Sequence, residues 1–266
     1  RVHCLAGQAA NQFSSAEEST KNAVYEPSQK PVALTENGIP IYSASADGNW
    51  GLSFPSPGQA PVGNTTNDYL KQFNACYMGD PGVKVIYLTF DAGYENGNTA
   101  KILDALKKHG VHAAFFVVGN YLETSPELVK RMAEEGHLIG SHTYNHVQLN
   151  KLSESKAKEE ILKGCNKIYE TTGVCPSFVR PPFGEWKKNM DFCVTMLPVF
   201  WNVDSLDWKL QNTEKIVKRV VKDVKEGDII LMHDIFETSV QAAFQIIDTL
   251  EKENYEFVTV DELLLE

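Results

Sequence analysis

Asp91, His142, His146, Arg180, Asp204, Asp207 and His233 combine a reactive side chain with a setting that could use it. Asp91 ends the run "YLTFD", so a strand would deliver its carboxylate to an exposed end. Read by itself, an Asp two residues before Gly serves equally well as a turn or helix-cap residue. His142 and His146 form HxxxH in "SHTYNH". One helical turn or a tight loop brings both imidazoles to one side, which suits a divalent transition metal. With seven histidines in the chain such a pair also arises without a metal. The intervening Thr143, Tyr144 and Asn145 lack the glutamate of a zincin helix, so that chemistry is excluded. His233, in "DIILMHD", is either a core histidine or an acid or base with Asp234 beside it. Arg180 precedes two prolines in "VRPPF"; it is a surface arginine on a rigid loop, or a guanidinium held for a carboxylate such as Asp91. Asp204 and Asp207 in "VDSLDW" read as solvated acids, except that Trp208 beside them offers the flat apolar wall on which a sugar ring packs.

What could position these groups is an alternation of strands and helices. "VKVIYLTF", "HAAFFVVG", "HLIGSH", "PVFWNV", "DIILMHD" and "EFVTV" read as strands. "NTAKILDALKKHG", "SPELVKRMAEEG", "SESKAKEEILKGCNKIYETTG", "NTEKIVKRVVKDVKEG" and "SVQAAFQIIDTLEKENY" read as helices, with Ser125 as an N-cap and Gly110 and Gly136 as stops. The pattern predicts an α/β fold with a parallel sheet, open or closed into a barrel, whose ligand site lies at the strand C-termini. Each reactive cluster follows such an apolar run, and chance does not readily place five of them so. The catalytic unit is expected over 82–266. Residues 31–81, rich in Pro and Gly and with a helical candidate at Thr66–Tyr77, read as an extension lying along it. Residues 1–30 are polar and without period, and read as a loosely attached arm.

Composition narrows the function classes. The 266 residues carry 42% hydrophobic and 23% charged residues and a net charge of −10. That balance argues against a nucleic-acid partner, which is held by clustered Lys and Arg. No run reaches the length of a membrane span. "RVHCLAG" lacks the apolar centre of a signal peptide, and because the chain opens on Arg1 an export signal or anchor removed upstream is expected. Cys4, Cys76, Cys165, Cys175 and Cys193 contain no CxxC pair, so a structural zinc site is not expected. One bridge among the last three could form, but the reading favours small buried hydrophobes.

The ordered motifs "TFDAG", "SHTYNH", "RPPFG", "DSLDW" and "LMHD" resemble those of the polysaccharide deacetylases of carbohydrate esterase family 4, with their nodulation-protein (NodB)-type domain. The resemblance covers Lys84 to about Leu265. "NWGLSF", "PVGN" and "YLTFDAGYENGNT" are similar to muramic-acid deacetylases, while "WNVDSLDW" and "GDIILMHD" look more like peptidoglycan N-acetylglucosamine and chitooligosaccharide members. The resemblance implies a distorted (β/α) barrel that removes N-acetyl groups from cell-wall polysaccharide, peptidoglycan first, at the surface of a bacterium or outside it. It implies a divalent ion, zinc first and cobalt, nickel or manganese after it, on His142 and His146. It makes Asp91 the general base, oriented by Arg180, and His233 the general acid, tuned by Asp207. The Phe183 N–H would help hold the oxyanion, with Pro182, Trp208 and Leu231 shaping the pocket. No obligate protein partner is implied.

The departure is Ala92, where most of that family has a second Asp as third metal ligand. A methyl group cannot ligate, so weaker or altered metal binding is expected. The rival from another class is a carbohydrate-binding pseudoenzyme that lost its metal through Ala92. Further alternatives are deacetylation of chitin-like oligomers or of O-acetylated polymers.

Overall fold

The computed structural model describes residues 52–53, 62–63, 79–80, 82–184 and 196–262. The arm at 1–30, the helical candidate Thr66–Tyr77 and Cys4, Cys76 and Cys193 lie outside them. Of the 31–81 segment, the described residues give an antiparallel pair, β1 (Leu52–Ser53) with β2 (Val62–Gly63). Gly79 follows, its N–H donating to the Gly227 carbonyl at 2.6 Å.

A parallel sheet carries the rest. Its centre is β3 (Val85–Ala92), flanked on one side by β4 (Ala114–Val117), β5 (Leu138–Ser141), β6 (Phe178–Val179) and β7 (Leu197–Pro198), in that order. On the other side lie β9 (Asp228–His233) and then β8 (Val203–Asp204), while β10 (Glu256–Val258) pairs with the first three residues of β3. The sheet curls into a half-barrel clothed by helices. Every residue of β3 is buried, as befits a central parallel strand covered on both faces. Ile86, Leu88, Phe90 and Ala92 join the core shared with α1 (Thr99–His109) and α7 (Glu237–Lys252), whereas Val85 and Tyr87 belong to a second cluster with Phe116, Phe178 and Trp201.

Local chemistry sets the helix ends. Gly110 stops α1 in a left-handed conformation, φ 68°. Ser153 caps α4 (Glu154–Thr172) by accepting the Lys156 N–H, and Asn212 caps α6 (Thr213–Asp223) by accepting the Lys215 N–H at 3.0 Å. Ser125 precedes α3 (Pro126–Glu134), but its side chain makes no cap bond, so Pro126 carries that start alone. Two further helices are short: α2 (Gly119–Thr124), which escaped the sequence reading because six residues show no period, and α5 (Asp207–Leu210).

Two expectations need correcting. "PVFWNV" is not one strand but two two-residue pairings, β7 and the start of β8, because the chain crosses from one side of the sheet to the other between them. The cysteines differ from one another: Cys165 is free and buried, as expected, but Cys175 is disulfide-bonded.

Candidate active site

Strand register places the two titratable groups at the centre. In the β3–β9 pair, Asp91 stands directly opposite His233. Asp91 and Thr89, two residues apart, share a strand face. Both are met by one nitrogen of Arg180, at 2.9 Å from Asp91 Oδ1 and 2.8 Å from Thr89 Oγ1. Arg180 follows β6 and is fully buried. Two further N–H groups go to the carbonyls of Val199 (3.2 Å) and Phe200 (3.1 Å), and its guanidinium lies over the Phe116 ring, 4.2 Å from the centroid. Gly140 makes that stacking feasible, since a Cβ there would fall 2.5 Å from the Phe116 ring. Burial pushes the Asp91 carboxyl up, but the charge and hydrogen bond of Arg180, with the charge of His233, hold the group below the usual aspartate range.

His142 follows β5. Its Nδ1 donates to the Arg180 carbonyl at 2.7 Å, which fixes the tautomer and leaves the Nε2 lone pair facing Asp91 Oδ2 at 3.5 Å. Burial drives His142 down to about 4 and drives His146 down as well, so both rings are neutral near pH 7. The "SHTYNH" segment is a loop rather than a helical turn, with Thr143 at φ 64° and His146 at φ 52°. It still brings the two rings together, 4.9 Å between centroids. Gly164 of α4 lets that helix press on the loop: a Cβ there would meet Ser141 Oγ at 2.8 Å.

The site thus presents neutral imidazoles and an ionised carboxylate with two electron-rich atoms face to face, which is the donor chemistry of a divalent cation. A separation of 3.5 Å is also what neighbouring ligands about 2.1 Å from one ion would show. The chemistry of these side chains suits such an ion, and His142 and His146 would hold it, with Asp91 Oδ2 beside His142 Nε2. Ala92 does not take part. It is fully buried in the helix-facing core, on the opposite strand face from Thr89 and Asp91. Among the described residues the one group of three His, Cys, Asp or Glu whose ligand atoms all lie within 4.8 Å of one another is His109, Asp248 and Glu251; Asp91, His142 and His146 are not drawn together that closely. There Glu251 meets Nδ1 at 2.8 Å and Asp248 meets Nε2 at 3.8 Å, so the ring bridges two acids across opposite edges.

On the other side, Asp207 opens α5 fully buried. Its Oδ1 receives the Trp208 N–H and lies 2.8 Å from His233 Nδ1, and its Oδ2 receives the His233 N–H at 2.8 Å. Burial pulls His233 down, but the hydrogen bond and charge of Asp207, joined by Asp91 and Asp204, raise it to about 9. Asp204, read as a solvated acid, is buried and accepts the Leu206 N–H at 2.8 Å, supporting the turn that leads to Asp207. Phe183 and Trp208 are exposed at 58% and 49%, aromatic faces that a ligand could cover. The Phe183 ring stands edge-on to His146, 4.9 Å between centroids. Pro182 and Leu231 are buried. Thr143, His146, Phe183 and Leu206 all hold positive φ in the site's loops, where backbone strain commonly marks function. Thr89 and Phe116, which fix Arg180, escaped the sequence reading. Thr89 was findable, being two residues from Asp91 on a predicted strand.

With this geometry in place, the chain's relatives are informative. Residues 78–197 match the Polysaccharide deacetylase family. The peptidoglycan-N-acetylmuramic acid deacetylase PdaA of Bacillus subtilis is 35% identical over 226 residues, 82% of this chain and 86% of that protein. The chain belongs to the polysaccharide deacetylase family. The solved structure of Bacillus subtilis PdaA, described as a family 4 carbohydrate esterase, superposes with a TM-score of 0.75 at 33% identity, over 82% of this chain and 96% of that one. The peptidoglycan-N-acetylglucosamine deacetylase PgdA of Listeria monocytogenes is 41% identical over 180 residues, which are 68% of this chain but 39% of that longer protein. As a polysaccharide deacetylase, the chain has its five motifs at the strand ends of one half-barrel.

Proposed function

We propose that this deacetylase hydrolyses the acetamide of N-acetylated amino sugars in peptidoglycan, at the cell surface or outside the cell, with a divalent ion, zinc first, held by His142 and His146. The observation that carries the proposal is the opposed pair across one strand gap: Asp91 kept ionised, His233 kept protonated. A binding module has no use for both, which weighs against the pseudoenzyme reading.

The bound ion would supply Lewis acidity, polarising the acetamide carbonyl and acidifying a water. Asp91 takes a proton from the attacking water, and Arg180 keeps that carboxylate charged and aimed. The Phe183 N–H helps hold the oxyanion. His233 gives its proton to the sugar nitrogen, since an amine leaves poorly unless protonated, and Asp207 keeps the ring charged until then. Acetate and a free amino sugar result. Trp208 and Phe183 take the apolar faces of the sugars, with Leu231 and Pro182 beneath the acetyl group. The names of PdaA and PgdA, one for each amino sugar, support peptidoglycan as the polymer.

The test is acetate release from peptidoglycan and from N-acetylglucosamine oligomers by zinc-reconstituted protein. Acetate from peptidoglycan is expected; none from any acetylated polymer, with any divalent ion, would overturn the enzymatic reading.

A further inference from the structure

Beside the acid lies a hydrogen-bonded chain that the proposed chemistry leaves unused. Asp234 Oδ2 is 2.7 Å from Thr99 Oγ1, Thr99 Oγ1 is 2.8 Å from the Tyr121 hydroxyl, and that hydroxyl is 3.0 Å from Glu95 Oε2. Three oxygen–oxygen contacts need three protons. Thr99 and Tyr121 bring one each, and the Tyr121 phenol is not ionised, because burial first and then the charge of Glu95 push it upward. The third proton must therefore sit on a carboxyl group. Glu95 Oε1 already receives the backbone N–H groups of Gly97 and Asn98. Asp234 is fully buried, and its Oδ1 meets no donor.

We infer that Asp234 is a positioning residue held as a neutral carboxylic acid, its proton completing the chain Asp234–Thr99–Tyr121–Glu95 that locks the loop after Asp91 to the loop after His233. Other contacts join the same two segments. Asn98 and Asn96 donate to the Ile235 carbonyl, at 2.8 and 3.3 Å, and Lys101 pairs with Glu237. The titratable groups facing Asp234 are Glu95 from the β3–α1 loop, Tyr121 from α2, and its own neighbour His233 on β9. Burial raises its carboxyl to about 7, with Glu95 adding to the rise. Deprotonation would release the third proton to solvent, remove one hydrogen bond and set a second anion against Glu95. The inference rests on the deacetylase reading only for its kinetic readout.

Two measurements test it. In the metal-free protein at pH 6, infrared difference spectra against Asp234→Asn should show a protonated-carboxyl C=O stretch present only in the native protein; this needs no activity. With substrate, Asp234→Ala should lower kcat about tenfold, the rate equivalent of one lost hydrogen bond. Asp234→Asn, neutral and able to donate, should recover most of that loss. The native profile should also decline in two steps above neutral pH, and the Asp234→Asn profile in one. Should Asp234→Ala not fold, Tyr121→Phe breaks the same chain and should lower kcat with KM held. Absence of the carboxyl band, or Asp234→Asn no better than the broken-chain variant, overturns the inference.

Discussion

The two sides of the site are built differently. The groups that hold Asp91 are buried: Arg180 directs four hydrogen bonds to a carboxylate, a hydroxyl and two carbonyls contributed by β3 and the segment after β7. Around His233 the construction is local. One turn, Leu206 to Trp208, supplies the buried Asp207, and the imidazole itself stays 20% exposed. The base is thus held by the fold as a whole, and the acid by a single helix start. Damage to either side should cost rate, and damage to the first should cost more structure than damage to the second.

The largest expected effect comes from Asp91→Asn, which removes the base and leaves Arg180 buried without its counter-charge. Acetate release should fall about 10³-fold, and calorimetry should find a loss of roughly 3–5 kcal/mol. Unchanged stability would erase the contrast between the sides. Next is His233→Ala, for which about a 10²-fold fall in kcat is expected, with a stability loss smaller than that of Asp91→Asn, because Asp207 keeps the backbone N–H groups of residues 208 and 233 as donors. Asp207→Asn should then act through pH. The folded protein holds His233 up at about 9, so the protonated ring stabilises the fold below the ordinary histidine range, and that contribution is lost as pH rises through 9. Without the carboxylate, the alkaline limb of kcat should move down by roughly one to two pH units. Smaller again is Ala92→Asp, which puts a carboxylate into the helix-facing core and should lower the melting temperature of metal-free protein. Relief of that loss by zinc would show that the new group reaches the imidazoles; no relief is expected from the present side-chain direction. Trp208→Ala should be mildest, raising KM a few-fold in oligomer assays through lost stacking, about 1 kcal/mol.

Much of this was legible in the residues. The parallel α/β alternation and the placement of Asp91, His142, Arg180 and His233 after apolar runs follow from periodicity alone, because a buried strand and an amphipathic helix leave different patterns. What the sequence hid is what depends on three-dimensional neighbours. "SHTYNH" could not declare itself a left-handed loop. Asp204 and Asp207 looked solvated because their burial is created largely by β9, distant in sequence. Ala92 looked like a missing ligand, and only the strand faces reveal that its methyl belongs to the core. Cys175 needed a partner that spacing could not name.

The pairing of Asp91 with His233 has one more consequence. Neighbouring strands are about 4.8 Å apart, so the separation between proton acceptor and proton donor is a spacing of the backbone lattice and is not set by loop conformation. The molecule carries a fixed ruler at its centre. A rigid inhibitor cut to that length, with one end for each group, should keep its grip across relatives whose surrounding loops have diverged.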